Sequence, residues 1–357
     1  MFRPFKVRSV AIGAALLMIA SVAIGITGAA SSATTASPAT SASKCAAFWG
    51  PAANVIDGVL PPGLSCPKPK PFTVAVLAAE ECPYCSSWQK AVTGELKVLG
   101  AKVVLSLNAG GSDATQAAQM QEAIAKKPDG IVVWPYGESA IVPSLIAAKA
   151  AGIPVELSNS PSAAAGLKDV IAYTGPQNTE EGEVGAQMLA KALHNKGDVI
   201  VILGAIGTTP EIQRLGGFEA ELHKIAPSMK VLGTGDGNWE EATSLSATSA
   251  LLTRYGSKVA GIFAEDDTTA AGAAKAAAAA GDPKMPIVGV GGSSAGLIGI
   301  RNGTIYGTMI QSPYLDGAFG PIMLYDFLEK LPHASQVLLP LPEVTKANVA
   351  KFFPAEW

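Results

Sequence analysis

Residues 71–135 read PFTVAVLAAEECPYCSSWQKAVTGELKVLGAKVVLSLNAGGSDATQAAQMQEAIAKKPDGIVVWP. Three short runs rich in Val, Ile and Leu (Phe72–Leu77, Lys102–Leu107 and Gly130–Trp134) are separated by stretches of helical composition, Ser86–Leu99 and Thr115–Lys127. Apolar runs of this kind suit strands buried on both faces, with the intervening helices covering one parallel sheet. The rhythm continues through helix Ser139–Ala151 and strands Pro154–Leu157 and Val170–Tyr173, completing one doubly wound half. A second half follows, with strands Asp198–Leu203, Lys230–Gly233, Gly261–Ala264 and Pro286–Val290 and helices Thr179–Ala192, Gln213–Ile225, Ala242–Tyr255 and Asp267–Ala280. Asp267 is placed to cap the Ala-rich helix that Gly281-Asp282-Pro283 ends, and Gly152 ends another before Ile153-Pro154. The fold class is α/β, with two doubly wound, Rossmann-like lobes. Open parallel sheets bind ligands beyond the carboxyl ends of their strands, so the loops of the two lobes are expected to face one another across a cleft.

The chain has 357 residues, 48% hydrophobic and 15% charged, ample for two packed cores. A net charge of −3 and a body without a Lys/Arg cluster exclude the basic face that nucleic-acid binding requires. Arg3, Lys6 and Arg8 precede the uncharged stretch Val10–Ile26 and the small residues Gly28-Ala29-Ala30. Residues 1–30 therefore read as a secretory signal peptide, with an uncleaved anchor as the alternative, and either places the rest of the chain outside the cytoplasmic membrane, periplasmic or secreted. Ser31–Ser43, rich in Ser, Thr, Ala and Pro and without charge, opens a linker expected to reach residue 71. Cys45 follows Ser43-Lys44 and is a poor lipid acceptor.

Four cysteines in an exported chain invite disulfides, and three connectivities are open. Local pairing, Cys45 with Cys66 and Cys82 with Cys85, is preferred, and would staple the Pro-rich segment before Pro71. Cys82-Pro83-Tyr84-Cys85 also has the context of a glutaredoxin-type redox site, in which a helix N-terminus lowers the pKa of the first thiol. Strand and helix alternate far beyond the length of such a domain, which favours a structural disulfide shaping a loop.

Catalytic signals are sparse. Gly292-Ser293-Ser294-Ala295-Gly296 fits a nucleophile elbow with Asp316 or Asp326 and His333 downstream, but the pattern is short and His333 lies beyond the last sheet signal. His194, His223 and His333 lack paired metal-ligand spacing, and no Walker lysine follows Gly204–Thr209. The chain is read as a non-enzyme with no catalytic residue, no metal and no cofactor.

Several motifs occur in a recognisable order: strand Val74–Leu77 with the Cys-Pro-Tyr-Cys loop; Gly130–Pro135; Ala151-Gly-Ile-Pro-Val155; Gln177-Asn178 with Gly182; Gly204 through Thr209 with Arg214 and Gly217-Phe218; Phe263–Asp267; Ile287-Val-Gly289; and Gln311-Ser-Pro313 with Gly317. With these the chain resembles, over about Phe72–Lys330, the ribose-binding-protein-like branch of the type I periplasmic binding proteins, the sugar-type solute receptors of ABC transporters. The resemblance implies lobe one at 72–176 plus 312–331 and lobe two at 177–311 plus 332–357, joined by a three-strand hinge. It also implies closure over a small-molecule ligand and docking, as a monomer, on a membrane permease.

Carried over position by position, the ligand contacts of that family fall on Glu81, Cys82, Tyr84, Cys85, Trp134, Asn159 and Ser160 of lobe one. On lobe two they fall on Ile212, Trp239, Asp266, Gly291 and Gln311. Sugar receptors of this type carry an Asp-Arg pair, a second Arg and an Asp where this chain has Asn159-Ser160, Ile212 and Gly291, so several charge-assisted hydrogen bonds are missing. Tyr84, Trp134 and Trp239, with Trp88 one turn further on, remain as walls to stack on a ring-shaped ligand, with Asp266, Asn159 and Gln311 as polar anchors. Such a site suits a sugar-like solute with few hydroxyls or, beside Asp266 and Glu81, an aromatic or amine-bearing one held by cation–π contact. Trp49 and Trp357, outside the matched stretch, are assigned to structure. An extracytoplasmic sensor domain of the same fold, and an exported thiol-disulfide oxidoreductase using Cys82 and Cys85, stand as alternatives.

Overall fold

The computed structural model describes residues 68–357. The expected signal and tether, Trp49 and the Cys45–Cys66 pairing lie outside the described residues. Two six-stranded sheets form, within one compact unit of the chain. The first contains β1 (Phe72–Ala78), β2 (Ala101–Asn108), β3 (Gly130–Val133), β4 (Val155–Ser158), β5 (Ala172–Gly175) and β11 (Gln336–Leu338), in the order β11-β5-β4-β3-β1-β2 and parallel throughout. The second contains β6 (Asp198–Leu203), β7 (Val231–Asp236), β8 (Val259–Ala264), β9 (Ile287–Gly291), β10 (Gly307–Ile310) and β12 (Glu343–Thr345), in the order β12-β10-β9-β8-β6-β7; only β12 runs antiparallel. The two halves thus repeat one strand order, as the alternation in the sequence implies.

The physical cause is burial on both faces. Val74 to Ala78, all of β3, β4 and β5, and Val199 to Leu203 are buried, and their side chains divide between a cluster above each sheet and one below. The covering helices are α1 (Pro83–Val98), α2 (Asp113–Ala125), α3 (Val142–Ala150) and the short α4 (Ala164–Leu167) in the first half. In the second they are α5 (Asn178–Ala192), α6 (Thr209–Ile225), α7 (Glu241–Tyr255), α8 (Asp267–Ala279) and α9 (Ser294–Asn302). α5 and α6 lie close together, because Gly217 sits where a Cβ would come within 2.1 Å of the Thr179 carbonyl oxygen.

The sequence reading names no strand over β10, β11 or β12, and two further features differ from it. α10 (Pro313–Leu328) is buried on nearly every side and carries Pro321 inside it, so it has no amphipathic stripe to announce it. It packs on β4 and β5, and the chain stays with the first sheet through β11, which moves the expected lobe boundary beyond Leu331. The crossovers between sheets therefore fall between β5 and α5, between β10 and α10, and between β11 and β12. The second difference concerns Asp267, which is not the cap of α8. Asp266 occupies that position, its Oδ1 accepting from the Thr269 N–H at 2.7 Å in a capping box, while Asp267 is wholly buried and accepts from the Ser293 N–H.

Candidate functional site

The carboxyl ends of the strands converge on a cavity of about 90 Å³. The first half lines it with Glu80, Cys82, Pro83 and Tyr84 after β1 and Trp134 after β3. The second half contributes Pro210 and Arg214 of α6, Trp239 after β7, Asp266 and Thr268 after β8, Val290 and Gly291 of β9, and Gln311 after β10; Trp357 completes the wall. An adjoining recess of about 20 Å³ shares Glu80, Trp134, Pro210 and Trp239 and adds Tyr136, Ser160 and Thr208.

The indoles are held rigidly from opposite sides. Trp239 follows Asn238 in a turn where both have left-handed backbone, φ 57° and 49°, the Asn238 N–H bonding back to Asp236 Oδ1 at 3.0 Å. Its ring lies so close to Gly204 that a Cβ there would stand 1.8 Å from it, and the Arg214 guanidinium carbon is 5.8 Å from the ring centroid, in cation–π range. Trp134 is met edge-on by Tyr84 at 5.8 Å and by Trp88 at 5.4 Å between centroids. Trp88 is fully buried and donates from Nε1 to Ser158 Oγ at 2.8 Å, so it props the wall from behind.

Beneath the cavity a buried polar chain runs from one lobe to the other. Arg214 donates from Nε to Glu181 Oε2 (2.6 Å), from Nη1 to the Glu265 carbonyl (2.8 Å) and from Nη2 to Gln311 Oε1 (2.7 Å). Gln311 Nε2 donates to Tyr84 Oη (3.1 Å), Tyr84 donates to Asp316 Oδ2 (2.8 Å), and Asn159 Nδ2 donates to the same oxygen (2.6 Å). Burial pushes the Asp316 carboxyl up to about 7 against these bonds, and burial beside Asp316 pushes the Tyr84 phenol well above its ordinary range, which keeps it a donor. At the cavity itself, burial first and the charge of Asp266 second raise the Glu80 carboxyl to about 7. Two carboxyl groups from opposite lobes therefore share one small volume.

Of the twelve residues carried over from the resemblance, Cys82, Tyr84, Trp134, Trp239, Asp266, Gly291 and Gln311 line the main cavity and Ser160 the recess. Glu81 points to solvent, and its neighbour Glu80 takes the inward place. Cys85 is buried, bonded to Cys82 in a disulfide with Cα atoms 4.9 Å apart, and it faces the core. Asn159 lies behind the wall on Asp316. Ile212 is 52% exposed on the outside of α6, whereas Pro210 and Arg214, four apart, share the inner face of the first helical turns and line the cavity. Trp357, assigned to structure, proves to be part of the wall. The elbow-like serines are accounted for by structure: Ser293 caps α9, Ser294 is exposed, and His333 packs edge-on against Phe327 on the other half.

Two six-stranded sheets of one strand order, parallel but for β12, crossed three times by the chain and converging on a cavity at their strand ends, define the two-lobed type I periplasmic binding architecture. The chain belongs to the periplasmic binding protein domain family, whose model matches residues 74–331. It is 28% identical over 235 residues to a xylitol-binding protein of Mycolicibacterium smegmatis, covering 66% of each chain. It is 27% identical over 224 residues to a ribose import binding protein of Haemophilus influenzae, covering 63% of this chain and 74% of that one. Among solved structures it superposes on an ABC transporter solute binding protein of Bacillus halodurans C-125 with bound myo-inositol, with a TM-score of 0.74 at 21% identity over 80% of this chain and 98% of the other. Membership of this family makes the chain a binding protein and not an enzyme. No helix among the described residues is long and apolar enough to cross a membrane.

Proposed function

We propose that this chain is the extracytoplasmic solute receptor of an ABC importer, and that it captures a small uncharged polyol or sugar by closing its lobes over it. The observation that carries the reading is a single cavity with Trp134 and Trp239 as apolar walls and Glu80, Asp266 and Arg214 as polar groups at its edge. Indole faces stack on the C–H faces of a carbon chain or ring, while Asp266 accepts hydrogen bonds from hydroxyl groups and a Glu80 carboxyl raised to about 7 donates or accepts. Counting roughly 10–15 Å³ per water-sized sphere, the cavity holds on the order of six to nine waters, about the space of a pentose or pentitol. Contacts from both lobes are complete only when these are closed, so the ligand shifts the population toward closure.

Titration calorimetry with xylitol, D-ribose, L-arabinose and myo-inositol tests this directly. Micromolar binding of at least one, weakened about tenfold or more by Asp266→Ala, is the expected result. The paired carboxyl groups favour a second reading, an amine-bearing solute whose ammonium would relieve their repulsion. Binding of D-glucosamine with no heat from any of the four polyols would establish it in place of the first. Crosslinking in membranes to an ABC permease supports import, whereas crosslinking to a sensor kinase would move the receptor to signalling.

A further inference from the structure

The family model stops at residue 331, yet the cavity wall includes Trp357. Between the two, the chain adds β11 to the first sheet and β12 to the second, turns at Val349–Phe352 against the second core, and passes Phe353 beneath the Arg301 guanidinium at 4.7 Å. It then re-enters the space between the lobes. There the Trp357 main-chain oxygen accepts from the Ser294 N–H at 2.7 Å on the second lobe, and the Glu356 side chain accepts from Ser312 Oγ at 2.6 Å on the crossover. The Glu356 carbonyl accepts from Ser87 Oγ at 3.3 Å, on α1 of the first lobe. The Trp357 indole meets the Tyr84 ring edge-on at 5.4 Å and lies against Gly291, where a Cβ would approach it to 2.7 Å. Its Nε1–H is buried without a hydrogen-bond acceptor.

We propose that residues 355–357 form a clasp that fastens the closed lobes, and that Trp357 is a specificity-determining residue contacting the ligand as the third aromatic wall. The physical argument has two parts. Ser87 and Ser294 belong to different lobes, so opening the hinge breaks at least one of the bonds made by the segment; docking of the segment and closure are therefore linked, and whatever favours one favours the other. Tyr84, Trp357 and Gly291 form one continuous surface on the cavity, so an indole at 357 sets the width available beside β9. The glycine at 291 is what admits it. The ligand arm of this proposal rests on the polyol reading above; the clasp arm does not.

The test compares the full chain with Trp357→Ala and Trp357→Phe, each first checked for an unchanged circular dichroism spectrum. In calorimetry with xylitol, Trp357→Ala is expected to weaken binding about tenfold or more, with Trp357→Phe recovering part of the loss. In small-angle scattering without ligand, Trp357→Ala is expected to enlarge the radius of gyration as the open form gains population, and amide exchange of residues 353–357 is expected to slow when xylitol is added. Affinity within twofold of wild type overturns the wall role of Trp357, and an unchanged radius of gyration overturns the clasp. Failure of the wild-type chain to bind any polyol sinks the proposed solute class, and the scattering comparison still decides whether the segment fastens the lobes.

Discussion

Trp239 stands at its place only because residue 204 has no side chain. Gly204→Ala puts a methyl group into the indole ring, at 1.8 Å, without demanding an unusual backbone, so it evicts the wall and leaves the sheet. Loss of solute binding by tenfold or more in calorimetry, with an unchanged melting temperature to within a few degrees, is the expected outcome. Glu80 gives a second prediction. Its carboxyl titrates near 7, and a solute that displaces the remaining water makes a second negative charge beside Asp266 costlier, so the bound state holds the proton more tightly. Affinity should therefore fall as pH rises from 6 to 8 by severalfold, and Glu80→Gln should abolish the dependence; a flat wild-type profile would contradict this. Trp134, Trp239 and Asp266 follow strands that the sequence reading places, but these three and Gln311 are named as contacts through the family resemblance, and no strand is read before Gln311. Arg214 was legible as a motif residue, but its role required the helical phase that turns Ile212 outward. Which of two adjacent acids, Glu80 or Glu81, faces inward depends on the exit angle of β1, and no local pattern records that. Trp357 is brought to the wall by pairings that begin some twenty residues earlier, which nothing near it in the sequence reveals.

At the scale of elements, the α5–α6 contact offers a matched pair of substitutions. Gly217→Ala drives a Cβ into the Thr179 carbonyl and must part the two helices, costing about 1–3 kcal/mol. Gly216→Ala, one residue earlier in α6, meets no atom within 4 Å and should instead stabilise the helix by up to about 1 kcal/mol. Urea unfolding of the two variants, read as midpoints of opposite displacement, checks the packing. The sequence carried most elements because buried parallel strands are uninterrupted apolar runs and their helices are punctuated by Gly and Pro. α10 escaped because a helix buried all round loses its polar face, and β11 and β12 because three-residue strands lack the length in which a period can be seen. The edge strand β7 runs on to Asp236, past the expected Gly233, since the ladder to β6 outlasts the apolar residues.

For the whole molecule, buried carboxyl groups set the pH response of stability. Asp267 and Asp316 are wholly buried and titrate near 7, against about 3.9 in an unfolded chain. Between those values the native state binds more protons than the unfolded one, so these groups stabilise at low pH, and their contribution declines as pH rises toward 7 and is flat above it. Melting temperatures should accordingly fall between pH 5 and pH 8, and Asp316→Asn, whose single amide oxygen can still accept from both Tyr84 and Asn159, should reduce that fall. An Asp316→Asn slope equal to that of wild type would assign the response elsewhere. The late position of β11 and β12 has a consequence for how the molecule is made. Each is the last strand laid on its sheet, so until the final stretch of chain has been added, β5 and β10 both present naked hydrogen-bonding edges. Such edges invite pairing between neighbouring molecules, so a protein shortened before residue 336 should be prone to precipitate rather than merely bind less well.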